Sequence, residues 1–383
     1  MTGRDDSRRS HGIESGSIGS RRTGSRIIGT GMAVPAARVS NELLARCMTV
    51  SPEWIFQRTG IRERRVSPDT LAMLERLALA SDPPEYMRSV FEDGLEGSID
   101  STLTVTDLAF QAATQAIEGA GLMPSALDCI ILSSTIPELA YPHSGCLLQG
   151  RLGLGSVPAF CLQQGCAGFL FGLALANQLL AGGMYQRVLV VGAELVSSMF
   201  DYSDRGRESA ILFGDGAGAA VLARQRGESS VLSSHLHSDG SKASALYGEM
   251  FGSSTFPPVS KRKIDADRSR PRMDGRVVFA HAVRRLEEVV RESLTANGLG
   301  VHEVQHYIFH QANLRIVEAV VRLLHLPEER VFNNIENYGN TGAASVPIAL
   351  SEASASGRLE RGDLVLLAAF GTGFSWAAVL LRW

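Results

Sequence analysis

An α/β fold with largely parallel sheets is what the sequence predicts, and three observations carry the prediction. Continuous apolar runs at 129–132, 187–191 and 364–369 read as strands buried on both faces, the habit of a sheet covered by helices on either side. Stretches at 106–120, 167–180 and 277–296 carry apolar or small residues at helical spacing. Strand and helix alternate through short links, which selects parallel strands joined by helical crossovers. The order of elements restarts near residue 230, so two similar halves are expected, 26–228 and 229–383, although no sequence repeat relates them.

Composition narrows the class. A chain of 383 residues is long enough for one large core or two domains. Hydrophobic residues at 45% and charged residues at 20% are ordinary for a globular protein, and a net charge of −3 gives no reason to expect nucleic acid. No uninterrupted apolar run is long enough to predict a membrane span. Five cysteines without C-x-x-C pairing argue for reduced thiols in a cytoplasmic setting. Residues 1–25, rich in Arg, Ser and Gly, are expected to form a disordered arm, with no apolar stretch of the secretory kind.

In chain order, Arg26-Ile27-Ile28-Gly29 opens the first strand. Ser40 caps one short helix, and Ser51 with Pro52 starts another that carries Trp54. The cluster Arg58, Arg62, Arg64 and Arg65 follows, read as a solvated face or as a seat for an anionic ligand with a stackable ring. Residues 67–104 break the rhythm with Pro68, Pro83 and Pro84 and read as an inserted helical excursion. Phe213-Gly214-Asp215-Gly216-Ala217-Gly218 leads into a strand; with no helix after it, it is no dinucleotide motif, and its small residues favour close layer packing. The polar segment 238–274 precedes the long helix at 277–296, and a second helix is expected at 313–324.

The stretch Gly165-Cys166-Ala167-Gly168-Phe169 carries the chemistry. The apolar run 157–162 predicts a buried strand, and a small-residue helix follows at 167–180. Cys166 is thus placed at a strand-to-helix turn, where unpaired N–H groups and the helix dipole favour a thiolate and a lowered pKa. Taken alone, such a cysteine reads equally as a small buried hydrophobe. Two further polar positions lie at strand ends: His310, in Phe309-His310-Gln311-Ala312-Asn313-Leu314-Arg315-Ile316, and Asn340, in Tyr338-Gly339-Asn340-Thr341-Gly342. Carboxyl ends of strands are where open α/β sheets bind ligands.

Together with Glu53-Trp54-Ile55, Arg58-Thr59-Gly60-Ile61, the Gly214-Asp215-Gly216 stretch and Gly371-Thr372-Gly373-Phe374, these motifs resemble the ketoacyl synthase III family from residue 26 to the end. The resemblance implies a thiolase-like fold, two α/β halves forming a five-layered αβαβα architecture. It implies a decarboxylative Claisen condensation in fatty-acid initiation or a polyketide pathway. Cys166 would carry the acyl group, and its N–H would form the oxyanion hole with one from Thr372 or Gly373. His310 and Asn340 would hydrogen-bond the malonyl thioester carbonyl. Trp54, Arg58 and Arg205 would bind coenzyme A, and Arg315 and Arg322 would receive an acyl carrier protein. Tyr141 would gate the acyl pocket of a homodimer partner. No metal or cofactor is implied.

The chain departs from the short members of the family by the insertion 67–104 and the long 238–274 segment, and Thr372 replaces a common glycine. The insertions favour, as an alternative, a natural-product acyltransferase or an enzyme joining two long β-ketoacyl chains. In the transferase branch Asn340 would be an acid, and in a non-catalytic chain-length partner Cys166 would be lost. A hydroxymethylglutaryl-CoA synthase-like enzyme would need a glutamate base near the thiol, for which Glu138 is the candidate by position.

Overall fold

The computed structural model describes residues 23–93, 101–227, 229–249, 252–254 and 270–383. Most of the expected arm, 1–22, and parts of the insertion and of the polar segment lie outside them. Fourteen strands run through the described residues: β1 (Thr23–Ala33), β2 (Arg38–Ser40), β3 (Glu63–Arg65), β4 (Cys129–Ser133), β5 (Ala159–Leu162), β6 (Arg187–Glu194), β7 (Gly216–Arg226), β8 (Val231–Ser238), β9 (Leu246–Tyr247), β10 (Arg272–Met273), β11 (His306–Phe309), β12 (Val331–Phe332), β13 (Leu364–Gly371) and β14 (Ser375–Arg382). β1 starts before the expected boundary at residue 26. Ser25 is fully buried, pairs with Arg224, and donates its hydroxyl to Asn177 Oδ1 at 2.7 Å, so residues 23–25 belong to the sheet.

Ten of these strands form two five-stranded sheets of the same design, ordered β1-β7-β6-β4-β5 and β12-β11-β13-β14-β8. Both are mixed. β6, β4 and β5 are parallel in the first, with β7 and β1 antiparallel; β13, β11 and β12 are parallel in the second, with β14 and β8 antiparallel. The sequence expectation of largely parallel pairing holds for the crossover strands only. Among the antiparallel pairs, β13 and β14 follow each other directly, whereas the short helix Arg207–Ala210 lies between β6 and β7.

Period-two burial explains the layering. Along β4, Cys129 and Ile131 face one core and Ile130 and Leu132 the other. Along β13, Val365 and Leu367 face the first of these cores and Leu364 and Leu366 a third. The shared central core holds the helices Gly168–Ala181 and Ser345–Ala355, which both sheets sandwich. The helices Val105–Gly119 and Ser144–Arg151 cover the outer face of the first sheet. Gly275–Ala296 and Leu314–Leu324 cover that of the second. The result is a five-layered αβαβα arrangement.

Helix Gly168–Ala181 is apolar nearly all round because the two sheets bury most of it, with Gln178 its one exposed residue. The insertion folds as the helices Pro68–Leu77 and Pro83–Asp93, with Met73, Leu74, Leu77 and Met87 packed against Phe200, Tyr202 and Ile211 in a fourth cluster. The arginine cluster does not form one surface. Arg64 is only 1% exposed, donating to Val39 O, Asn41 Oδ1 and Ile211 O, whereas Arg58 and Arg62 reach solvent.

Leu173, fully buried in the central layer, tests this architecture. Leu173→Ala is expected to cost about 2–5 kcal/mol in denaturant titration, because both sheets are too rigid to close on the void. Leu79→Ala, on the 79% exposed surface of the insertion, is expected to stay within about 0.5 kcal/mol of the parent.

Candidate active site

β5 is shorter than expected and lies at the sheet edge, with Phe160 41% exposed, because among the described residues no strand covers its outer side. After it the chain turns through a 3-10 segment, Gly165–Ala167, before the α-helix starts at Gly168. Cys166 is the middle residue of that turn. Gly165 holds φ +52°, and a Cβ there would lie 2.2 Å from Thr372 Oγ1, so the turn tolerates no side chain. The loop after β13 presses on it from the other half: a Cβ on Gly371 would come within 2.5 Å of Cys166 N. Thr372 therefore packs on Gly165, with Gly371, Thr372 and Gly373 arrayed beside the cysteine turn.

Cys166, His310, Asn340, Arg58 and Arg315 line one cavity of about 710 Å³, a size suited to a pantetheine-like ligand. Apolar side chains, among them Phe213, Leu246 and Phe370, complete its wall. His310 follows β11 and is 3% exposed; its N–H donates to Ala368 O at 2.8 Å, and its Nδ1 lies 2.5 Å from Ser345 Oγ. Asn340 is bracketed by backbone bonds to Leu212 and Gly214 at 2.8 and 3.0 Å. Its Oδ1 accepts the Gly342 N–H at 2.9 Å, which turns the Nδ2 donors away from that turn.

Trp54, Arg205, Arg322 and Tyr141 do not line this cavity. The Arg58 guanidinium stacks over Trp54, 4.8 Å from the ring centroid. Arg205 donates to Asp201 Oδ2 at 2.8 Å. Arg322 stands two turns along its helix from Arg315 and lines a separate groove with Val317 and Glu318. Tyr141 is 87% exposed. Glu138 does not line the cavity; its backbone N–H is tied to Ser144 Oγ at 3.1 Å.

The acid whose charge bears on the Cys166 thiol is Glu194, which the sequence reading passed over. It ends β6, fully buried, where an apolar strand finishes on one charge, and that lone charge was the available signal. Its oxygens accept the Thr135 N–H at 3.0 and 3.1 Å, the Thr135 hydroxyl at 2.7 Å and the Ala343 N–H at 3.4 Å. Burial pushes its carboxyl up to about 7 against the pull of those hydrogen bonds.

Burial, and secondarily the Glu194 charge, pushes the Cys166 thiol up to about 12, with its own backbone N–H opposing. This reverses the lowered pKa expected from the helix dipole, because removing a thiolate from water outweighs a partial charge at the helix end. Burial also pulls the His310 imidazole down to about 3, so the ring is neutral at ordinary pH. Among the described residues no group of three His, Cys, Asp or Glu is arranged to hold a metal ion, and no helix is long and apolar enough to cross a membrane.

Alkylation of Cys166, read by peptide mapping, is accordingly expected to keep accelerating as pH rises past about 8.5, the ordinary thiol value. Above about pH 7, where Glu194 is ionised, Glu194→Gln removes a buried negative charge and is expected to speed alkylation at any fixed pH below that of full thiol ionisation. An unchanged or slower rate would show that Glu194 does not burden the thiolate.

The chain matches the family model described as 3-oxoacyl-[acyl-carrier-protein (ACP)] synthase III over residues 160–240, and the C-terminal model of the same name over 294–383. It is 41% identical over 361 residues to the beta-ketoacyl-[acyl-carrier-protein] synthase III of Alkalilimnicola ehrlichii, covering 94% of this chain and 99% of the relative. Its structure is similar to that of the 3-oxoacyl-[acyl-carrier-protein] synthase III of Aquifex aeolicus, with a TM-score of 0.78, 38% identity, and coverage of 94% of this chain and 100% of the other. It is also similar to a priming β-ketosynthase of a polyketide biosynthetic pathway, with a TM-score of 0.77, 30% identity, and coverage of 96% and 98%. With matched family models, a shared thiolase-like architecture and this identity along nearly its whole length, the chain belongs to the β-ketoacyl-[acyl-carrier-protein] synthase III family.

Proposed function

We propose that this chain is a condensing acyltransferase that joins an acyl group to a malonyl-type thioester with loss of CO₂. The observation that carries the reading is a single cavity lined by Cys166, His310 and Asn340 together. In the first half-reaction Cys166 Sγ attacks the thioester carbonyl. The oxyanion is met by the Cys166 N–H and by one N–H from Thr372 or Gly373, and the leaving thiol takes the cysteine proton. In the second, the malonyl thioester loses CO₂ to leave an enolate. His310 Nε2–H and the Asn340 amide donate to its oxygen, and its carbon attacks the acyl carbonyl and expels the Cys166 thiolate.

Neutral donors suit this step. A charged imidazole would have to be desolvated, whereas the neutral ring already matches the dry site. The energy comes from decarboxylation, so the reading calls on no metal or redox group. Trp54 and Arg58 offer a stacking face and a cation for coenzyme A, and Arg205, held by Asp201, a further cation. Arg315 at the cavity mouth and Arg322 beyond it offer cations to an acidic carrier protein. The edge strand β5 with exposed Phe160, and exposed Tyr141 nearby in sequence, suit a homodimer in which Tyr141 enters the partner's pocket. All five cysteines are free thiols, in keeping with a cytoplasmic setting.

The insertion favours a specialised donor over plain fatty-acid initiation. Its helices brace the segment from Val196 to Leu212, and Ile211 and Leu212 line the cavity.

Intact-mass measurement after incubation with a panel of acyl-CoA and acyl-carrier thioesters is expected to show one acyl adduct, absent in Cys166→Ala. A short adduct discharged by malonyl carrier identifies fatty-acid initiation, and a long or aromatic one a specialised pathway. No adduct with any donor ends the reading. His310→Ala and Asn340→Ala are each expected to acylate normally yet lose about 10²–10³ in condensation. Because His310 stays neutral well below its ordinary value, condensation is expected to show no inflection near about pH 6.5.

A further inference from the structure

We propose that Ser345 is a positioning residue for His310: its hydroxyl donates to Nδ1 and so keeps the ring proton on Nε2, which faces the cavity. The inference rests on His310 acting as the enolate donor, and it names the group that makes the ring a donor there. A neutral imidazole carries one N–H, and which nitrogen holds it depends on the partner of the other. His310 Nδ1 lies 2.5 Å from Ser345 Oγ, and both residues are buried, at 3% and 2% exposure.

The hydroxyl oxygen is itself engaged, accepting the Gln311 backbone N–H at 3.2 Å. With that lone pair used, its proton needs an acceptor, and among the described residues the one it meets is Nδ1. Were Nδ1 instead protonated, Ser345 would accept twice and its own proton would be stranded in a dry site, a costly arrangement. Nε2 would then present a lone pair to the cavity, where the enolate oxygen also carries one.

Ser345 is well placed to fix the ring. It is the first residue of the central helix Ser345–Ala355, anchored by Val346, Ala349 and Leu350 in the shared core. It also follows the Asn340 turn directly, so one helix start positions both donors.

The test is ¹⁵N NMR of histidine-labelled enzyme, with the His310 signals identified by their loss in His310→Gln. In the parent, Nδ1 is expected at the position of an unprotonated ring nitrogen and Nε2 at that of an N–H. Ser345→Ala is expected to mix the tautomers and to lower the condensation kcat about tenfold, the loss of one orienting hydrogen bond. It should leave the rate of acyl-enzyme formation on Cys166 unchanged, and Ser345→Thr should restore both signals and rate. A parent protein with the proton on Nδ1 overturns the proposal without any variant having to fold. So does a Ser345→Ala enzyme with unaltered ring signals. If the ring signals behave as expected while His310→Gln condenses at the parent rate, the tautomer assignment stands and the donor role of His310 fails instead.

Discussion

Two apolar helices share one layer between two sheets, and the site exists because both begin at the same end of that layer. Helix Gly168–Ala181 starts just after Cys166, and Ser345–Ala355 just after the turn that carries Asn340. The 3-10 turns that precede them, Gly165–Ala167 and Gly342–Ala344, touch each other. Neither helix can shift without opening the central core, so Cys166 and Asn340 are fixed relative to each other by hydrophobic packing. The sheets add the rest: His310 directly follows β11, and β13 ends at Gly371, against the Cys166 backbone.

The same packing sets the electrostatics. Excluding water raises the Cys166 thiol and the Glu194 carboxyl and lowers the His310 imidazole, so each group drifts toward its neutral form. The thiolate is therefore scarce before substrate arrives, and an oxyanion hole acts most strongly in such a dry site. Glu194 also ties the loop at Thr135 to the turn at Ala343, joining the two halves beneath the cavity. A second buried acid does similar work farther out. Asp215 accepts the N–H groups of Ser67, Val196 and Ser197, anchoring the start of the insertion to the segment beside the cavity.

The insertion reaches the cavity only indirectly. Phe91, on its second helix, lies under the Arg270 guanidinium at 4.2 Å, and Arg270 pairs with Asp201, which also holds Arg205. The added helix is thus linked to Arg205 through Asp201, whose pair with Arg270 is shielded from solvent.

Much was legible in the order of residues. The α/β class followed from apolar runs such as 187–191, because a strand covered on both faces has no polar side to show. Cys166, His310 and Asn340 stood out because each sits in a distinctive local motif; Cys166 and His310 do follow strands, whereas Asn340 follows the short helix Ile335–Tyr338 and not the expected strand. The edge position of β5 was not legible, since an apolar run does not say whether a neighbour lies beyond it. Nor was the fate of Arg64, buried while Arg58 and Arg62 of the same cluster reach solvent. The sequence by itself determined the alternation of elements and singled out Cys166, His310 and Asn340, which line one cavity. Only the tertiary structure decided the mixed sheet pairing, the reversed thiol shift and the places of Glu194 and Ser345. Burial and charge proximity arise between segments far apart in the chain, 28 residues for Cys166 and Glu194 and 35 for His310 and Ser345, and no local pattern encodes them.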